Sequence, residues 1–144
     1  MKSTAILDLM LQDHGKLIHL LSTVEKTVGS DILTVMNAFD TFEWTLQKHF
    51  FTEEKAIFTS YNPVNVQVGY KMVPELIKEH NQILNAVEVM RRDLLKQKPY
   101  SFSAFKESLM KHKHFEEEQL YPKLDQELSQ EQKNSIVSRI KEIV

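Results

Sequence analysis

The sequence predicts an all-α fold: an antiparallel up-down four-helix bundle with a short C-terminal helix. Three observations lead there. Three glycines and four prolines in 144 residues leave few helix breakers. Four long segments repeat apolar residues at alternating steps of three and four, the spacing of one helix face. The stretches between them are mostly short, which favours antiparallel neighbours.

The first segment runs from about Thr4 to Val28, with an inward stripe of Leu7, Met10, His14, Leu17, Leu21 and Val24. Gly29 stops it, and Ser30-Asp31 supplies a new N-cap. The second carries Ile32, Val35, Phe39, Phe42, Leu46, His49, Glu53 and Ala56 and ends near Ser60. Residues 59–72 then form a connection that is long for a compact domain. Such lengths are often functional, and a plain surface excursion fits equally well. The third segment opens near Val73-Pro74, with proline tolerated in the first turn. Its stripe is Val73, Leu76, His80, Ile83, Val87, Met90 and Leu94. Residues 96–100 break it, and Ser101 is placed to cap the fourth segment, whose stripe is Phe102, Phe105, Leu109, His112, Glu116 and Gln119. Tyr121-Pro122 is expected to end that helix. A short fifth helix begins at Ser129, where Gln132 completes a capping box. We expect one domain over residues 1–144, with the core bundle at about 4–122 and the C-terminal helix at about 129–144.

Composition narrows the function. A chain 42% hydrophobic and 26% charged has the balance of a globular domain. A net charge of −2 argues against nucleic acid as a partner. There is no apolar run of about eighteen residues, so no membrane-spanning helix is expected. Asp8 interrupts the apolar part of the N-terminus, which argues against a signal peptide. The absence of cysteine excludes disulfides, thiolate nucleophiles and cysteine-held clusters, and any metal must be bound through nitrogen and oxygen. A cytoplasmic location is the default expectation.

The two halves repeat. Leu11-Gln-Asp-His14-Gly-Lys-Leu-Ile18 aligns with Ile77-Lys-Glu-His80-Asn-Gln-Ile-Leu84, 66 residues on, and His49…Phe58 aligns with His112…Tyr121, 63 residues on. One helix pair is written twice, and two such pairs packed face to face would be related by an approximate two-fold axis. Each stripe carries one histidine where leucine would otherwise belong, and the second and fourth add a glutamate four residues later. Positions i and i+4 differ by about 40° around a helix and about 6 Å along it, so both side chains face the bundle axis.

A carboxylate buried without a partner costs several kcal/mol, and four buried imidazoles also need partners. Metal coordination meets all these needs together. His14, His49, His80 and His112 with Glu53 and Glu116 would hold two cations, two imidazoles to each, with both glutamates bridging. Imidazole with carboxylate suits iron, manganese or zinc. Two divalent ions carry four positive charges. The carboxylates cancel half, and a bridging oxide or hydroxide could cancel the rest. An open position would remain on a six-coordinate metal, which favours iron with a small ligand over a closed structural zinc site.

The plainer readings are that a lone histidine on an apolar face is a hydrogen-bonded core residue, and that a lone His-x-x-x-Glu is chance. Four histidines in register, two with paired glutamates, outweigh them. His114 and Glu118 form a competing pair, but they lie off the apolar stripe and break the 63-residue match. His19 is also off its stripe and is expected in solvent. Asp13, Glu54, Glu79 and Glu117 adjoin the candidate ligands. They could orient the imidazoles, although a solvated face is the commoner fate of such residues. Gly15, inside a helix, could make room beside His14 for a bound gas or a neighbouring ring, or be neutral.

In Asp13-His14, His49-Phe-Phe-Thr-Glu53-Glu54 with Ile57-Phe58, Glu79-His80, and His112-Lys-His-Phe-Glu116-Glu117 with Leu120-Tyr121-Pro122, the chain resembles the hemerythrin-like, or HHE cation-binding, family. The resemblance spans about residues 6–122, and it is the full set in order that is specific. It implies an up-down bundle with a non-haem di-iron centre, two irons per chain, that binds oxygen or nitric oxide. The oxygen-carrying members have a further histidine where this chain has Leu76, and an aspartate one residue beyond the position of Glu116. The pattern is closer to that of the iron–sulfur cluster repair proteins and other bacterial hemerythrin-like domains. The repair proteins also bear a cysteine-containing N-terminal segment, which these residues do not include. Two functions follow as expectations: a protein that binds, senses or stores oxygen, nitric oxide, peroxide or iron, or an enzyme that reduces such ligands or assists cluster repair. A metal-free interaction bundle is the third reading, and six polar groups on core stripes count against it.

Overall fold

In the computed structural model, which describes residues 5–63, 66 and 69–143, the described chain is helical with no strand. Helices α1 (Ala5–Thr27), α2 (Ile32–Thr52), α3 (Val73–Leu95) and α4 (Phe102–Phe115) form the bundle, and each packs on the next. Two further helices, α5 (Tyr121–Glu127) and α6 (Gln130–Ile143), lie against α1. Among the described residues no helix is long and apolar enough to cross a membrane.

The helix boundaries follow local chemistry. Gly29 adopts φ +97°, the left-handed conformation that ends a helix at least cost for glycine. Asp31 then caps α2, accepting a hydrogen bond from the Thr34 amide at 3.0 Å. The capping box at Ser129 and Gln132 is present, with reciprocal bonds of 2.9 and 3.1 Å. Ser101 departs from expectation, because its side chain makes no cap hydrogen bond. Nor does Tyr121-Pro122 end the helical path. Proline sits in the first turn of α5, where no backbone donor is needed, and the chain stays helical to Glu127.

That continuation holds the start of α1. The Asp125 carboxylate accepts from the amides of Ile6 (3.4 Å) and Leu7 (3.1 Å), which a helix start leaves without intrahelical partners. Lys133, itself buried, donates to the Asp125 carbonyl at 3.0 Å.

The inward stripes are close to those read from the sequence, with informative slips. Ile6 is buried in place of Leu7, while Ile32 and Val73 at the helix starts are only half-buried. Leu120 is buried and Gln119 exposed. The cause is a widened π turn at Glu116–Leu120, which delays the next inward position by one residue. A matching π turn occupies Glu53–Ile57. The two lie 63 residues apart, so the internal repeat extends to the backbone irregularity.

Two apolar clusters fill the interior. One is built on Leu17, Leu21, Phe39, Phe42, Leu46, Met90, Phe105 and Leu109, the other on Ile6, Met10, Ile57, Leu76, Leu120, Leu124 and Ile140. The candidate histidines lie between them along every helix. The long connection after α2 joins the second cluster: Tyr61 and Val66 are buried, and the Tyr61 hydroxyl donates to the Leu120 carbonyl. Those two described residues pack into the interior, which a plain surface excursion would not do. Residues 64, 65, 67 and 68 of that stretch, with Thr4, lie outside the described residues.

Candidate metal centre

The six candidate residues come together at mid-bundle, and all are buried: His14, His49, His80 and His112 at 1–3% exposure, Glu53 and Glu116 at 0%. One histidine comes from each bundle helix, and each glutamate opens a π turn. The rings form two pairs, His14 with His49 at 4.8 Å between centroids and His80 with His112 at 4.9 Å.

The glutamates stand between the pairs. Oε1 of Glu53 is 3.2 Å from Nε2 of His49 and 3.2 Å from Nε2 of His80. Glu116 offers Oε1 to His14 at 3.2 Å and Oε2 to His112 at 3.2 Å. These atoms converge without pairing. Among the described residues, Glu53 Oε1, both Glu116 oxygens, both ring nitrogens of His80 and Nε2 of His112 are buried with no hydrogen-bond partner. Leaving one such group unsatisfied costs about 1–3 kcal/mol. Five of them converge and point to a common partner, while Nδ1 of His80 turns toward Glu54. Two overlapping sets, His14–His49–Glu53–Glu116 and Glu53–His80–His112–Glu116, each present ligand atoms within 4.8 Å of one another. Donor type, burial and convergence all fit metal ions.

Three carboxylates back the imidazoles, and for these the expectation of a solvated face fails; Glu54 stays partly exposed. Asp13 is hydrogen-bonded to Nδ1 of His49, Glu117 to Nδ1 of His14 at 2.7 Å, and Glu79 to Nδ1 of His112 at 3.0 Å. Glu54 faces Nδ1 of His80 at 3.9 Å. Each of these acids adjoins one candidate ligand in sequence and serves another in space, and the pattern obeys the repeat: Asp13 to His49 matches Glu79 to His112. An Nδ1–H donated to a carboxylate leaves the Nε2 lone pair free to face the interior.

Tyr121 was missed as a site residue. Its hydroxyl donates to Oε2 of Glu53 and lies 3.5 Å from Nε2 of His14. Its place in the repeat was visible, but the π turn that swings it inward was not. His114 and His19 are exposed, apart from the cluster. Gly15 is exposed too, and a methyl group there would meet nothing within 4 Å, so it makes no room for a gas or a ring.

Electrostatics follow from the crowding. Burial works to lower the His49 pKa, but the Glu53 charge and the Asp13 hydrogen bond prevail and raise it to about 10. Burial likewise opposes the rise of His80, which Glu116 and Glu53 carry to about 9. Burial pushes Glu116 up, yet contact with Glu53 and with the imidazoles of His112, His14 and His80 holds it well below the usual carboxylate range. Burial and the nearby Glu116 and Glu53 charges raise the Tyr121 phenol, keeping it a proton donor.

A cavity of about 10 Å³ lies against the cluster, walled by Leu17, Leu46, Phe50 and Leu109 and by His14, His49, His112 and Glu116. A larger cleft of about 590 Å³ runs between α3 and α4 and reaches Glu79 and His112.

The profile of the hemerythrin HHE cation-binding domain matches residues 5–134. The chain belongs to this family. The searches of curated proteins and of solved structures returned no match. Membership implies cation binding, and the His and Glu groups of the polar cluster could hold a metal.

Proposed function

We propose that this HHE domain holds a pair of iron ions on His14, His49, His80, His112, Glu53 and Glu116, and binds, senses or stores a small ligand such as oxygen, nitric oxide or peroxide. The observation that carries this reading is the convergence of five buried, unpartnered atoms: Nε2 of His80 and His112, Oε1 of Glu53 and both oxygens of Glu116. Bound there, iron supplies open coordination positions for a small ligand.

The chain's own residues do the rest. The Nε2 atoms of the histidines would hold the ions, and Asp13, Glu79 and Glu117 fix three of the rings by hydrogen bonds at Nδ1. Glu116 reaches both pairs with its two oxygens. Leu17, Leu46, Phe50 and Leu109 line the cluster on one side and leave a space of about 10 Å³ there. A cavity that small takes one water-sized probe, which restricts the ligand to a few atoms.

Metal analysis of protein purified without added metal, and again after loading with ferrous salt, tests the reading. About two irons per chain are expected, with a visible oxo-to-iron absorption that changes on adding peroxide or nitric oxide. A folded protein that takes up no iron overturns it. Steady turnover of one of these ligands in the same cuvette would place the protein among the enzymes.

A further inference from the structure

Helix α2 leaves an apolar face uncovered. Leu33, Trp44 and Phe51 are 73%, 62% and 50% exposed. At about 100° per residue, they and Asp40 fall within about 40° of one another around the helix. The face runs about 27 Å from Leu33 to Phe51. Large apolar groups scattered singly over a surface need no explanation, but three in one row mark a contact surface.

The charges on this face are ordered. Asp40, Trp44 and Lys48 form one row of i, i+4 steps, acid first and base last. Arg91 reaches Asp40 at 3.1 Å, yet 58% of the Asp40 side chain stays exposed. Lys48 holds its ammonium 4.9 Å from the centroid of the Trp44 ring. Asp40 and Lys48 stand four residues either side of Trp44, so the row is its own complement when reversed. A parallel copy would set Asp40 against Asp40 and Lys48 against Lys48. An antiparallel copy sets each Asp40 against the other copy's Lys48.

We propose that a second copy of this chain covers the face, with α2 packed antiparallel on α2 about a two-fold axis at Trp44. Rows of i±4 residues from two helices interlock at a crossing angle of about 50°, which lays the two 40–44–48 rows side by side. The contact is isologous, so both tryptophans leave water together and both ion pairs form together. Trp44 is the anchor, and the ion pairs set the direction of packing more than its strength. Leu33 and Phe51 extend the apolar surface on either side. Trp44 and Lys48 also border a pocket of about 20 Å³ that reaches Asp13 and His49. The joint therefore lies outside the Asp13–His49 hydrogen bond, while the cleft beside Glu79 and His112 stays open. The contact does not depend on metal.

Trp44 is the chain's single tryptophan, so its emission reports this face alone. A dilution series followed by sedimentation and by tryptophan fluorescence tests the proposal. A dimer with a Kd of about 10 μM is expected, with emission moving to the blue as it forms. Trp44→Ala weakens association about thirtyfold in sedimentation. Asp40→Lys and Lys48→Asp are each expected to be monomeric, because each opposes like charges. An equimolar mixture of the two is expected to dimerise again. Circular dichroism checks the fold of each variant. Should either charge variant not fold, Trp44→Ala alone decides, and unchanged association overturns the proposal. Wild-type protein that stays monomeric up to about 1 mM overturns it as well. So does a dimer whose formation leaves the Trp44 emission unmoved, and so does failure of the mixed charge variants to associate.

Discussion

Replacing Glu116 by alanine removes two oxygens that stand between both histidine pairs. Glu116→Ala and His112→Ala are expected to lose most bound metal, whereas His114→Ala keeps it, because His114 is exposed. Metal content per chain, measured beside circular dichroism, checks this, and equal losses from His112→Ala and His114→Ala contradict the site. Asp13→Ala and Glu79→Ala leave the ligands in place but free the rings of His49 and His112. Metal affinity is expected to fall about 10–100-fold, readable by competition with a chelator. The six central residues were legible because each breaks an apolar stripe at a helical spacing. The backing carboxylates were not. An acid beside a ligand in sequence looks solvated, and only the packing of neighbouring helices shows that it meets a ring on another one. Of the two readings of Gly15, the neutral one stands for a related reason: adjacency to His14 says nothing about which side faces the site. Gly15→Ala should stabilise the protein by about 0.5–1 kcal/mol, measured as a higher denaturation midpoint. A loss of stability would mean that the open surround of Gly15 has been misjudged.

At the scale of elements, the starts and stops that rest on local chemistry were readable: Gly29, Asp31 and the Ser129–Gln132 box. The π turns were not, because no residue type announces an inserted backbone step, and the stripe after Glu116 was therefore read one residue early. The role of α5 was hidden by Tyr121-Pro122, which can begin a helix as well as end one. Its Asp125 caps α1 from across the chain, a contact that leaves no local signature. Asp125→Ala should cost about 1–2 kcal/mol. It should also raise amide hydrogen exchange at Ile6 and Leu7 before the rest of α1. Uniform exchange along α1 would argue against the cap.

For the whole molecule, proton balance is the accessible observable. After metal removal by a chelator, His49 and His80 carry folded-state pKa values near about 10 and about 9, against 6.5 for the free side chain. A raised pKa stabilises the fold below the unfolded value and ceases to do so as pH climbs through the folded one. The stripped protein should therefore melt at progressively lower temperature from about pH 6.5 to about pH 10. The loaded protein should behave oppositely at the acid end, since ligation needs neutral imidazoles and acid expels the ion. Thermal melts across that range, with and without chelator, would show the crossing trends; parallel curves would refute them.

The exchange of glutamates between the two ligand sets has a mechanical consequence. His14, His49 and Glu53 belong to the first hairpin, but their set is completed by Glu116 of the second, and the reverse holds for His80, His112 and Glu116 with Glu53. Neither hairpin owns a full set, so an ion seated in either also fastens one hairpin to its twin. Affinity for a bound ion and cohesion of the two halves would then be the same quantity, and metal-stripped protein would be the looser form.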